Sequence, residues 1–262
     1  MSEKKKLPVR IPSLVWTLLT VAFLGFFLWE GLSRLSGLPA FILPPPGAVF
    51  DRFMQALSDG SLLHHTTATL IEVFGGLLLG LSFATLIGYA VAKSRTVERL
   101  LSPYIIASQS VPVVAIAPLL VIWFGPGRIS KILISALIVF FPVLVNTVVG
   151  VRSVPEDLHD LMRSLRATRW QIFRKLEVPA AMPVVFGGLK VGATLSVIGA
   201  VVGEFVGSDE GLGFLINVGR GVFDTSLVFV AVFMLITLAL ALYGLVSAIE
   251  RRVLTWHHAK SN

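Results

Sequence analysis

Long apolar runs separated by short polar stretches dominate the chain, and six of them are long enough, or nearly so, to cross a bilayer as helices. They fall at about 14–32, 68–92, 100–124, 130–151, 183–206 and 227–249. The first follows Lys4, Lys5, Lys6 and Arg10 in the manner of a secretory signal. Its apolar core exceeds a usual signal, however, and no small-x-small cleavage site follows Trp29 and Glu30, so it reads as a retained anchor. In the second run Gly76, Gly80, Ala84, Gly88 and Ala92 recur every fourth residue, a spacing that lets helix backbones approach closely in lipid. The pattern predicts an all-α polytopic membrane protein with six transmembrane helices. Residues 14–255 form one transmembrane domain, flanked by tails at 1–13 and 256–262.

Composition excludes a soluble enzyme: 55% of the 262 residues are apolar and only 14% charged, against roughly 25% charged in a soluble domain. The absence of cysteine removes disulfides, thiolate metal sites and a cysteine nucleophile. Net charge is +7, and its placement matters more than its sum. Sixteen Lys and Arg fall in the N-terminal segment, the second and fourth connections and the C-terminal segment, against five on the other side. This bias predicts that both termini are cytoplasmic.

Several segments depart from simple spans. Pro44, Pro45 and Pro46 favour an extended path, after which Val49, Phe50, Phe53, Met54 and Leu57 repeat at helical spacing and predict a short interfacial helix. His64 and His65 lack nearby carboxylate or His partners and read as loop residues rather than a metal site. The third run contains Pro112 and Pro118 beside Ser108, Gln109 and Ser110. Irregular backbone at membrane depth is tolerated where it lines a wet cavity or is buried in protein, so these polar residues line a permeation path or serve helix packing. Asn146 and Thr147 raise the same alternatives. Glu204 is the acid set well inside an apolar run, facing the bundle interior or a cavity, or else reaching headgroups beside Ser208 and Asp209. Lys190 is expected to snorkel to the cytoplasmic interface.

The fourth connection, 152–182, carries its own pattern. Ser153-Val-Pro-Glu156 has the form of a capping box, and Leu158, Leu161, Met162 and Leu165 then form an apolar stripe flanked by Asp157, Asp160, Arg163 and Arg166. Thr168-Arg-Trp-Gln171 offers a second capping box, and Pro179 and Pro183 are expected to end the segment. Two short helices with a bend near Arg166 to Thr168 follow. Their stripe lies on the membrane surface, packs beneath its own bundle or docks into a partner protein. A DNA-binding helix-turn-helix is disfavoured, because membrane spans flank it and Glu156, Asp157, Asp160 and Glu177 offset its basic residues.

This connection resembles the coupling loop of permease subunits of binding-protein-dependent ABC importers, whose pattern is E-A-A, three residues, G, nine residues, I-x-L-P. Asp160 takes the acidic position, Leu161 and Met162 follow, Arg166 replaces the glycine and Pro179 closes the motif. Arg at a left-handed bend would cost about 1 kcal/mol or more, so the bend is expected to shift to Ala167 or become shallower. Further segments are similar to the nitrate, sulfonate and taurine branch, which includes transporters of thiamine pyrimidine precursors. They include Phe41-Ile-Leu-Pro-Pro-Pro46, Ser110-Val-Pro112, Trp123-Phe-Gly125, Ser130-Lys-Ile132, Asn146-Thr147, Gly203-Glu204, Gly211-Leu-Gly213 and Asp224-Thr225.

The resemblance implies the type I ABC importer permease fold in a bacterial cytoplasmic (inner) membrane, as a homodimer with two cytoplasmic ATPase subunits and an external solute-binding protein. It implies that Glu156, Asp157, Leu158, Asp160, Leu161, Met162, Leu165, Arg166 and Pro179 couple to the ATPases, while Ser108, Gln109, Ser110, Asn146 and Glu204 line the path. No Gly-Lys pair occurs, so no P-loop is present. The chain is expected to be non-catalytic and free of cofactors, with ATP and Mg acting in partner subunits and no nucleic acid bound. A self-contained secondary transporter or channel using Glu204 and Lys190 is the alternative. A membrane-embedded enzyme has little support, since no His lies in a span beside a nucleophile. The solute stays open: nitrate-, sulfonate- or taurine-like, or thiamine-precursor-like.

Overall fold

The computed structural model describes residues 11–109 and 112–255; for residues 11–15, 18, 108 and 109 it describes the backbone alone. The described elements are helical: α1 Ile11–Leu35, α2 Pro46–Ser58, α3 Ser61–Lys93, α4 Arg95–Gln109, α5 Val113–Phe124 and α6 Arg128–Arg152. After these come α7 Glu156–Ser164, α8 Arg169–Ile172, a π-wound turn Phe173–Glu177, α9 Val178–Val206, α10 Leu212–Gly221 and α11 Thr225–Val253. Among the described residues four helices are long and apolar enough to cross a membrane: α3, α6, the continuous Arg169–Val206 helix and α11.

At the centre α6 is clasped between α3 and α9. The small-residue stripe of α3 faces α6 so closely that a Cβ on Gly76 would lie 2.2 Å from Ser135 Oγ, and one on Gly80 would lie 2.7 Å from the Ala136 carbonyl oxygen. On the other side a Cβ on Gly199 would meet Ser135 Cα at 2.5 Å, and one on Gly188 would meet Asn146 Cβ at 2.6 Å. The Ser135 hydroxyl, fully buried, donates to the Ser196 carbonyl. Lipid tails are as apolar as Leu, so helices associate through such close packing and through hydrogen bonds rather than by escaping water.

The outer elements attach at defined points. Trp29 of α1 stacks on Phe229 of α11 and donates to the Pro44 carbonyl. Pro46 opens α2, the expected short helix, which buries Val49 and Ala56 and leaves Phe50, Met54 and Leu57 exposed. Arg52 reaches Asp224, whose other oxygen caps α11 by accepting from Leu227 N–H.

The third run is interrupted as its prolines suggest: Pro112 caps α5, apart from α4 at Arg95–Gln109. Two expectations are corrected. His64 and His65 lie in the first turns of α3, since the helix starts seven residues before the predicted 68. Pro179 and Pro183 do not end a helix: both sit early in α9, where Pro179 needs no partner in its own turn. Phe173–Glu177 is wound as a π-turn just ahead, with Val178 N–H bonded to the Phe173 carbonyl, which accommodates the missing Pro179 donor. Lys190, expected to snorkel, pairs with Glu250 next to the basic last turn of α11.

Gly199→Ala is expected to lower the thermal unfolding midpoint in detergent, at a cost of about 1–3 kcal/mol for overpacking. Gly187→Ala, which meets nothing within 4 Å, leaves that midpoint unchanged or higher.

Candidate functional site

Two polar clusters lie at opposite ends of the clasped helices. Where α3 and α6 begin and α9 ends, Glu72, Lys131 and Glu204 are all buried, each at most 1% exposed. Glu204 sits at the N-terminus of α10, where the Gly213 N–H donates to Oε2 at 2.5 Å and Thr69 Oγ1 donates to Oε1 at 2.6 Å. A helix N-terminus carries unpaired amides and partial positive charge, so a carboxylate is favoured there. Gly211, at φ +108°, and Gly213 leave the room this requires: a Cβ on either would fall within 2.7 Å of a Glu204 oxygen. Lys131 Nζ donates to Ser208 Oγ and stands 3.5 Å from Glu72 Oε1, whose carboxyl makes no hydrogen bond. Beside this cluster Arg128 pairs with Glu210 through both oxygens and holds that carboxyl below its ordinary range.

At the other end Glu177, 2% exposed, closes the π-turn. Its carboxylate accepts from Tyr89 OH at 2.9 Å and Lys93 Nζ at 2.5 Å, both on α3, and faces His159 Nε2 of α7 at 3.1 Å. Nearby, the Arg152 guanidinium hydrogen-bonds Glu98 and holds that carboxyl below its ordinary range. A cavity of about 640 Å³ opens between α3, α6 and α9, with Ser82, Thr85, Tyr89, Thr147, Phe173 and Glu177 in its wall. No cation lines it among the described residues. Pockets of this size hold small organic ligands, with a few polar groups in a mostly apolar wall.

The fourth connection forms α7 and α8 with one cap of the two expected. The Thr168–Gln171 box is complete in both directions. The Ser153–Glu156 box does not form, because Val154 precedes Pro155 and is pushed out of the helical region, so Pro155 becomes the N-cap. Ser153 instead donates to the Gly150 carbonyl. The bend falls on Arg166 itself, at φ 54°, and not on Ala167. Arg166 N–H bonds to the Arg163 carbonyl and Ala167 N–H to that of Met162, the paired pattern that glycine usually closes at a helix C-terminus.

Leu158, Leu161 and Leu165 are 41%, 55% and 69% exposed, and Trp170 beyond the bend is exposed with them. Met162 and His159 turn inward, so the predicted stripe splits and its three leucines do not pack beneath their own bundle. Glu156, Asp157 and Asp160 are exposed alongside. Pro179 starts α9.

The expected path residues are not gathered into one lumen. Ser110 lies outside the described residues, and Ser108 and Gln109 are described only as the last backbone turn of α4. Asn146 packs against Gly188 and donates to the Pro142 carbonyl of its own helix. Glu204 faces the bundle interior and does not line the 640 Å³ cavity. Glu72, Lys131, Glu177 and the cavity wall apart from Thr147 were not anticipated. Glu72 was hidden because it interrupts the apolar run at its polar start.

A helical bundle with four apolar spans, a cavity between them and an exposed amphipathic helix at one end defines a polytopic membrane transport component. Residues 76–255 match the family described as the binding-protein-dependent transport system inner membrane component, and the chain belongs to that family. It is a permease subunit of an ABC importer, multi-pass in the inner membrane. It is 50% identical over 228 residues to the riboflavin transport system permease protein of Chloroflexus aurantiacus, covering 87% of this chain and 85% of that one. The formylaminopyrimidine transport permease protein of Halalkalibacterium halodurans is 35% identical over 229 residues, covering 87% and 91%. The taurine transport system permease protein of Escherichia coli is 31% identical over 234 residues, covering 87% and 85%. In fold the chain is similar to one from the inward-facing MetNI methionine ABC transporter, at a TM-score of 0.65 and 19% identity, covering 76% and 97%.

Lys131→Met is expected to destabilise the bundle by about 3–5 kcal/mol by leaving the buried Glu72 carboxyl without its ion-pair partner, read as a fall in the detergent unfolding midpoint. Arg166→Gly is expected to stabilise the α7 terminus by about 1 kcal/mol, read as slower amide exchange across Leu161–Ala167.

Proposed function

We propose that this subunit crosses the membrane six times with both termini in the cytoplasm and works as a homodimer with two ATPase subunits and an external binding protein. The transmembrane domain covers 14–255, with the interrupted third run counting as one crossing. The positive-inside distribution of Lys and Arg supports this orientation and puts α7 on the cytoplasmic side.

The observation that carries the coupling role is the exposed row Leu158, Leu161 and Leu165, rimmed by Glu156, Asp157 and Asp160, with Met162, Arg166 and Pro179 setting its frame. An apolar row of this kind on a helix that its own bundle leaves open fits a groove on a partner. ATP with Mg acts in that partner, and closure of the two ATPases moves α7 and exposes the central path first outward and then inward. The path runs through the 640 Å³ cavity, with Asn146 and the Ser108–Gln109–Ser110 break contributing polar groups.

For the solute we propose a neutral, flat heteroaromatic molecule of the flavin or aminopyrimidine type. The identity gradient supports it, since the riboflavin and formylaminopyrimidine permeases are more similar to this chain than the taurine permease. So does the cavity wall, which offers Tyr89, Phe173, hydroxyls and one carboxylate but no cation to meet a sulfonate.

Leu161→Arg is expected to abolish ATP-driven uptake while the chain still folds and inserts; normal uptake by that variant contradicts the coupling assignment. A host unable to make or import riboflavin should grow on micromolar riboflavin when given this subunit with its partners, and rescue of taurine use in its place overturns the solute reading.

A further inference from the structure

We propose that Glu177 is a positioning residue that ties α7 to the wall of the cavity, so that movement of α7 reaches α3 and α9 through its carboxylate. The proposal rests on the coupling role argued above for α7 and concerns a different set of contacts. α7 packs only lightly against other helices. Among the described residues its one side-chain hydrogen bond to another helix is His159 Nε2 to Glu177 Oε1, at 3.1 Å. A carboxylate accepts and does not donate, so the Nε2 carries the proton in this contact.

Glu177 is placed to pass that contact on. It is 2% exposed, so its charge depends on protein donors, and the other two come from α3: Tyr89 to Oε2 and Lys93 to Oε1. Tyr89 and Glu177 both stand in the cavity wall, and Phe173 at the start of the same π-turn packs edge-on against Tyr89. One carboxylate therefore joins the exposed helix, the end of α3 and the start of α9 at the cavity. The π-winding gives the joint a place to yield, since such turns are less regular than the α-helix on either side. A second space of about 430 Å³, lined by Lys93, Arg152, His159 and Asp160 among others, lies beneath α7 and leaves it room to move.

The chain has no cysteine, so a single introduced thiol reports on the cavity. Ser82 is an exposed residue of its wall whose hydroxyl bonds only to its own helix. In the assembled complex carrying Ser82→Cys, the rate of modification by a membrane-impermeant maleimide is measured without nucleotide and after trapping with ATP and vanadate. With the link intact, nucleotide is expected to change that rate by about fivefold or more, the lower end of usual coupling between sites. In His159→Ala and in Glu177→Gln the two rates become equal while ATP hydrolysis continues, and His159→Gln, which keeps a donor, restores the difference. His159 lies on a lightly packed helix, so its replacement tests the link even where a change at buried Glu177 impairs folding. A full nucleotide response in His159→Ala overturns the proposal. So does loss of ATPase assembly in that variant, because it would make His159 a docking residue. A complex with His159 and Glu177 intact, in which the reactivity of the introduced thiol ignores nucleotide, contradicts the alternating-access reading itself.

Discussion

The structure depends on how closely α6 lies against both its neighbours. Ser135 is the narrowest point, with Gly76 on one side and Gly199 on the other, each too near to carry even a methyl group without displacement. The Ser135 hydroxyl donates to the Ser196 carbonyl on the α9 side. In a lipid solvent this contact has no hydrophobic driving force behind it, so shape and hydrogen bonding hold the three helices together. Everything with chemical character is then mounted on the two ends of that clasp.

The ends are built differently, and the difference fits a machine that moves at one end. Around Glu204 the charges are sealed among α3, α6, α9 and α10, with one helix amide and a hydroxyl meeting the carboxylate. Breaking such a buried arrangement leaves an uncompensated charge, which makes it a rigid joint. Around Glu177 the donors come from α3 and from a helix that is otherwise loosely held. A cavity lies on one side of Glu177 and a solvent-exposed row of leucines on the other face of α7. The chain thus joins a fixed end to a yielding one, with the 640 Å³ cavity near the yielding end.

Much of this was legible in the sequence where the cause is local. The small-residue spacing on α3, the Thr168–Gln171 cap, the short helix after Pro46 and the apolar row of α7 all follow from residues within a few positions of each other. The matching row on α9, Gly188, Gly192, Ser196, Gly199 and Gly203, is harder to see, because one of its steps is three residues rather than four and so breaks the strict period. What stayed hidden depends on partners far along the chain. Glu72 meets Lys131, Lys190 meets Glu250 and Glu177 meets Lys93, and nothing in the spacing of any one of them names its partner. The Gly211-Leu-Gly213 motif resembled the family without explaining itself; its glycines clear space for Glu204. Local rules also competed: Pro155 overrode the Ser153 cap, and the Arg166 side chain was tolerated at a left-handed turn whose two backbone hydrogen bonds are intact.

On the reading proposed above, the open face of α7 receives a partner ATPase and two copies of the chain share the task. Intact-complex mass measurement, on protein extracted from its own membranes in mild detergent, tests it most directly. A single assembly of two copies of this chain with two ATPase subunits that hydrolyses ATP is expected. A chain recovered alone, which still moves solute into vesicles without nucleotide, would contradict it.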